Sequence, residues 1–103
     1  LSGHWGGLSG QFYHVGWLTD NVTSYYGNNW FIVTDQNSLG RTNGITRGTA
    51  GGSGSGQLAI NTSNWSGEVS TWQTVECIVY SRTLSAAEYG QIEAYLAKVK
   101  HDQ

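Results

Sequence analysis

The chain contains no proline and no methionine, a single cysteine, and only five Lys and Arg against seven Asp and Glu in 103 residues. Each shortage excludes something. With Cys77 alone, neither an intramolecular disulfide nor a thiolate metal cluster can form. No basic residue adjoins Cys77 to activate it, and its place in an apolar run reads as that of a buried small hydrophobe. A net charge of −2 with scattered cations gives no electrostatic footprint for phosphates, which argues against nucleic acid and against an anionic membrane as partners. No apolar run approaches the roughly 18 to 20 residues that cross a bilayer. No charged-then-apolar leader opens the sequence either, and Leu1, in place of an initiating Met, reads as a processed end or as the start of part of something longer.

What is present is turn and strand material: fifteen Gly, thirteen aromatic residues and many Ser, Thr and Asn. That composition predicts a single domain over residues 1–103 with one core, all-β apart from one helix. Three N-x-S/T sequons, at Asn21, Asn61 and Asn64, favour glycosylation and a secreted or extracellular address.

Along the chain, residues 1–18 read as two aromatic strands joined by the Gly-rich turn around Gly6 to Gly10. In the second of them Phe12, His14, Gly16 and Leu18 share one face and Tyr13, Val15 and Trp17 the other, and both faces are similarly amphipathic. A polar loop, Thr19 to Asn29, carries Tyr25 and Tyr26. Trp30 to Thr34 reads as a short buried strand, broken by the turn-prone Asp35 to Ser38. Asn43-Gly44 between Leu39–Thr42 and Ile45–Thr49 predicts a hairpin with a type I′ turn. Ala50 to Gly56 has the composition of a flexible loop. Gln57 to Asn61 alternates as a further strand with Leu58 and Ile60 inward, and Thr62 to Ser70 is a polar loop.

The stretch Thr71 to Leu96 organises the rest. Val75, Cys77, Ile78, Val79 and Tyr80 form an apolar, β-branched run interrupted only by Glu76, as in a strand covered on both faces. Leu84, Ser85, Glu88 and Tyr89 then supply a hydrophobic staple and a capping box at a helix start. Tyr89, Ile92, Leu96 and Val99 make one apolar stripe for packing on a sheet, with Gln91, Glu93 and Lys98 off it.

The run VECIVYSRTLSAAEYGQIEAYL, Val75 to Leu96, resembles the closing strand, capped helix start and short helix of laminin G-like, concanavalin A-like jelly rolls. Asn43-Gly44 and Gln57 to Ile60 resemble the turn and the later strand of the same family, and His4-Trp5-Gly6-Gly7 does so loosely. The resemblance implies an antiparallel jelly-roll β-sandwich with one C-terminal α-helix packed on it. A complete domain of that kind needs about 150 to 200 residues, so the chain is expected to be the C-terminal part of a larger domain or to be completed by another chain. Gly40 departs from the family pattern, which puts an aromatic or β-branched residue there, and makes that strand weaker.

No pair of carboxylates has the clustering glycoside hydrolysis needs, and no Ser stands in a strand-elbow-helix setting, so no catalytic residues are assigned. His4, His14 and Asp20 are a thin constellation for a transition metal. Asp20, Asp35 and Asn37 offer oxygens to calcium, but turn capping is the better account of them, and no cofactor is expected. Sugars stack on flat aromatic rings and take hydrogen bonds from amides. Tyr25, Tyr26 and Trp65, in polar loops near Asn28, Asn29, Asp35 and Asn37, are therefore the expected ligand-binding set, while Trp17, Trp30 and Trp72 belong with strands. Two functions are in view: a non-catalytic extracellular module that binds glycan or another matrix or surface component, and a structural subunit of a filament, coat or matrix. The latter would self-assemble or take its missing strands from a partner chain.

Overall fold

The computed structural model describes residues 2–51, 58–61 and 69–103. Strands β1 (Ser2–Trp5) and β2 (Leu8–Phe12) form an antiparallel hairpin. Strands β3 (Val33–Gln36), β4 (Leu39–Thr42) and β5 (Ile45–Gly48) form a three-stranded antiparallel sheet in chain order, and α1 (Ala86–His101) follows. Among the described residues the architecture is two small antiparallel sheets with one C-terminal helix.

The tight turns fall where local chemistry demands them. Thr42 pairs with Ile45 across Asn43-Gly44, whose φ values of 49° and 76° are both left-handed, as a type I′ turn requires. The first hairpin turns at Gly6-Gly7. Its second strand is shorter and earlier than expected, because Tyr13 to Trp17 leaves the ladder in a bend closed by an isolated Tyr13–Trp17 bridge. Edge-to-face contacts of Trp17 with Trp5 (4.9 Å) and Tyr13 (5.2 Å) hold that bend. Trp30 to Thr34 is likewise shifted: the strand starts at Val33, reaches Gln36 and turns at Asn37-Ser38, so Trp30 stays exposed while Ile32 is buried.

Among the described residues the buried apolar side chains are Phe12 and Ile32, and the buried polar ones Ser9, Gln11, Thr42 and Glu93. Phe12 packs on β4 at Gly40, where a Cβ would lie 2.7 Å from Phe12 Cδ1. Gly40, which departs from the family pattern, is thus the place where the ring meets backbone. Gln11, fully buried, organises the loop that follows. Its Oε1 accepts from Asn21 N (3.0 Å) and Thr19 Oγ1, and its Nε2 donates to Thr23 O and Asp20 Oδ1. Ser9 does the same one step on, accepting at Oγ from Tyr26 N (2.9 Å) and at its carbonyl from Tyr25 N (3.0 Å). Every one of these buried polar groups is paired, as burial requires.

Helix α1 begins as the sequence predicts. Ser85 Oγ accepts from Glu88 N (3.2 Å) and Glu88 Oε1 accepts from Ser85 N (3.0 Å). Arg82 Nη1 donates to the same carboxylate at 2.9 Å. The Arg82 guanidinium, and after it the Ser85 N–H, hold the Glu88 carboxyl at about 2, below its ordinary 4.5. The helix face differs from expectation, since Glu93, placed off the packing stripe, is 8% exposed and points at the sheet. Arg41 Nε and Nη2 donate to its two oxygens at 2.9 and 3.1 Å, and Thr34 Oγ1 donates at 3.1 Å. Gln36 completes the attachment: its amide exchanges two 3.1 Å hydrogen bonds with Leu84 N and O.

Two further strand expectations are corrected. Val75 to Tyr80 has no regular structure, bends at Val75 and joins no ladder, and residues 71–80 are exposed throughout, Cys77 included. Leu58 to Asn61 likewise forms no strand, with Leu58 67% and Ile60 42% exposed, while Gln57 lies outside the described residues. The physical reason is common to both: a strand needs a hydrogen-bonded neighbour and a covered face, and no described segment supplies either one. No described helix is long and apolar enough to cross a membrane.

Candidate functional site

The expected ligand-binding residues divide between the two ends of the β3–β4 ladder. At the end where Val33 pairs with Thr42, the Tyr25-Tyr26 loop folds back over the sheet. Gly10 lets it do so: its φ is +86°, and a Cβ there would meet both tyrosine rings at 3.1 Å. Tyr26 stacks on Phe31 with centroids 4.8 Å apart and donates its hydroxyl proton to Thr42 Oγ1 at 2.8 Å. Tyr25 lies under the Arg47 guanidinium at 4.8 Å. Both tyrosines are half-buried and engaged within the protein, while Asn28 and Asn29 are exposed, Asn29 Nδ2 donating to Tyr26 O at 3.0 Å. Trp65, with the Asn64 sequon, lies outside the described residues.

At the turn end of the ladder Asp35 and Asn37 are also occupied. Asn37 Nδ2 donates to Thr83 Oγ1 at 3.0 Å. Asp35 Oδ1 lies 2.8 Å from His14 Nε2, and His14 Nδ1 donates to Ala50 O at 2.9 Å. His14, its side chain 6% exposed, thereby joins three segments of chain.

Nor are the residues weighed for metals brought together. His14 is taken by Asp35, and Asp20 accepts from Val22 N (3.0 Å), Thr23 N (2.9 Å) and the Thr23 hydroxyl. Those bonds, the Thr23 hydroxyl first, hold the Asp20 carboxyl at about 2, under its ordinary 3.8. Among the described residues no three His, Cys, Asp or Glu side chains converge.

A cleft among the described residues is a feature the sequence did not announce. Its volume is about 550 Å³, and it is walled on one side by β1 and β3, on another by segment 72–80, and on a third by Tyr89, Ile92, Leu96 and Val99 of α1. The apolar stripe of the helix therefore faces this space. Within segment 72–80 Trp72, Val75, Ile78, Val79 and Tyr80 are 38 to 66% exposed. No backbone–backbone hydrogen bond ties 71–83 to another described residue. The side-chain bond that anchors the segment is Tyr95 Oη to Glu76, 2.9 Å to each carboxylate oxygen, and that contact holds the Tyr95 hydroxyl above its ordinary 10.0. His4, also on the wall, has a buried Nδ1 with no partner among the described residues.

Of the sequons, Asn21 is held in place, its amide oriented to accept from Trp17 Nε1 at 3.2 Å and to donate to Asp20 O. Asn61 is exposed and accepts from Ser70 N through Oδ1 (2.8 Å).

Set beside known proteins, the chain matches no family model, no curated protein and no solved structure.

Proposed function

We propose that this chain is a non-catalytic, extracellular interaction module whose working surface is the apolar cleft, and that the cleft receives extended polypeptide from another chain, completing a two-layer β-sandwich. One observation carries this: segment 72–80 is rich in β-branched and apolar residues, yet has neither ladder nor cover. Unpaired main-chain groups along a β-prone segment ask for another strand in preference to a helix or a lipid tail, because a strand offers a repeating row of N–H and C=O groups. Strands β1 and β3, and the orphaned Nδ1 of His4, border the same space. The laminin G-like resemblance of Val75 to Leu96 supports the two-layer form, and such a role is that of a subunit in an assembled filament, coat or matrix.

The test is the oligomeric state together with amide exchange. The purified chain is expected to associate in sedimentation velocity, Ile78→Asp to prevent association while the β3–β5 amides keep their protection, and the 72–80 amides to exchange fast in that monomer. A wild-type monomer whose 72–80 amides are as protected as those of β4 would sink the proposal.

A further inference from the structure

We infer that Arg47 is the centre of an anion site that takes the carboxylate of an acidic saccharide, at the opposite end of the β3–β4 ladder from the Asn37 turn and independent of the strand-accepting cleft. The chain has three arginines. Arg41 is neutralised by Glu93 and Arg82 by Glu88. Arg47 has no carboxylate partner among the described residues, and is held instead by neutral groups: its Nε donates to Thr42 Oγ1 (2.8 Å), its Nη2 to Tyr26 Oη (3.0 Å), and its plane lies over Tyr25. Thr42 is fully buried and also accepts from the Tyr26 hydroxyl, so guanidinium, phenol and threonine lock one another in place.

A guanidinium has five N–H groups in a planar fork. Two are used here, which leaves both hydrogens of Nη1 and one of Nη2 without a protein acceptor among the described residues. That Nη1–Nη2 edge is the one a carboxylate engages with two parallel hydrogen bonds. The position is fixed beforehand, so an incoming anion orders little on binding.

The local charge agrees. From Asn21 to Gly67 the sequence has one acidic residue, Asp35, and it is bonded to His14. The exposed Asn28 and Asn29 follow Tyr26 across Gly27, and Asn29 Nδ2 donates to the carbonyl of Tyr26, whose hydroxyl the cation holds. Hydroxyl-rich ligands use such groups, which favours a saccharide over an acidic peptide as the bearer of the carboxylate.

The probe is a hexamer of galacturonic acid, titrated calorimetrically beside a neutral galactose hexamer and a hexaglutamate peptide. The uronate is expected to bind, the neutral hexamer to bind at least about tenfold more weakly, and Arg47→Gln to weaken the uronate at least about tenfold, the equivalent of a charge-assisted fork lost. Arg47→Lys, which keeps the charge without the fork, is expected to fall between. Because Arg47 also braces Tyr26, the same titration is followed in the wild-type protein through the arginine side-chain NMR signals, where Arg47 is to shift while Arg41 and Arg82 stay still. No uronate binding, uronate affinity unchanged in Arg47→Gln, a stationary Arg47 signal, or hexaglutamate binding as tightly as the uronate would each overturn the assignment.

Discussion

Residues 8–48 and residues 69–80 relate polarity to burial in opposite ways. In the first region the most buried side chains include Ser9, Gln11 and Thr42, each with its hydrogen bonds met by loop backbone or by another side chain. In the second, Val69, Val75, Val79 and Trp72 face solvent, although their chemistry is that of a core. Burial in this chain therefore follows the availability of hydrogen-bond partners before it follows hydrophobicity. A polar side chain that completes a network is carried inside with it, and an apolar segment without a ladder is left outside.

The sharpest way to break that contrast is to leave a buried charge unpaired. Glu93→Gln removes the carboxylate that neutralises Arg41, while Thr46 and Gly44 still hold the guanidinium in place. The expected loss is about 3 to 5 kcal/mol in urea unfolding, enough to bring a domain of this size near its midpoint in water. A loss under about 1 kcal/mol would mean that α1 is held by its apolar stripe and not by the ion pair.

Next in size is the ring that does follow hydrophobicity. Gly40→Ala places a methyl against the Phe12 ring, whose nearest atoms lie at 2.7 to 3.0 Å from the new Cβ. One or the other must move, at a cost of about 1 to 3 kcal/mol by the same measurement.

These two variants also mark what was legible in the sequence. Asn43-Gly44 and the Ser85-Glu88 box were readable because each is decided within four residues by backbone φ or by a reciprocal hydrogen bond. Glu93 was not, since the apolar stripe of a helical wheel says nothing of an arginine 52 residues away. Gly40 carried the same difficulty: as a strand residue it reads as a flaw, and only the position of Phe12 explains it. Val75 to Tyr80 read as buried because periodicity reports what a segment is suited to and not whether a neighbour is there to cover it. Among the site residues, the Tyr25-Tyr26 loop was in view, but its rings were expected to be open, whereas Phe31 and Arg47 occupy them. The acid-free run from Gln36 to Gly67 is the sequence signal that would have led to Arg47.

Acid weakens the fold in a smaller and graded way. Asp20 and Glu88 both have carboxyls held down to about 2 in the folded chain, from 3.8 and 4.5. A depressed folded value means that the unfolded chain takes up protons first. The stabilisation is thus complete above about pH 4.5 and is lost as pH falls towards 2. The melting temperature is expected to be level from pH 7 to 5 and to decline below that, with Asp20→Asn reducing the slope. A decline unaltered in both Asp20→Asn and Glu88→Gln would place the acid-sensitive groups elsewhere.

The smallest expected effect says the most about segment 72–80. Val79 is 66% exposed and unpaired, so Val79→Ser removes little contact in the monomeric chain and is expected to change its stability by no more than about 0.5 kcal/mol. The same residue on the face of a completed sheet would lose the transfer free energy of a buried valine, about 1.5 to 3 kcal/mol. Made in the Ile78→Asp monomer, the substitution is thus expected to be silent, and made alone it is expected to weaken association. A large loss in the monomer would mean that the segment is already covered there, and the contrast between the two regions would then lie in their sequences and not in their packing.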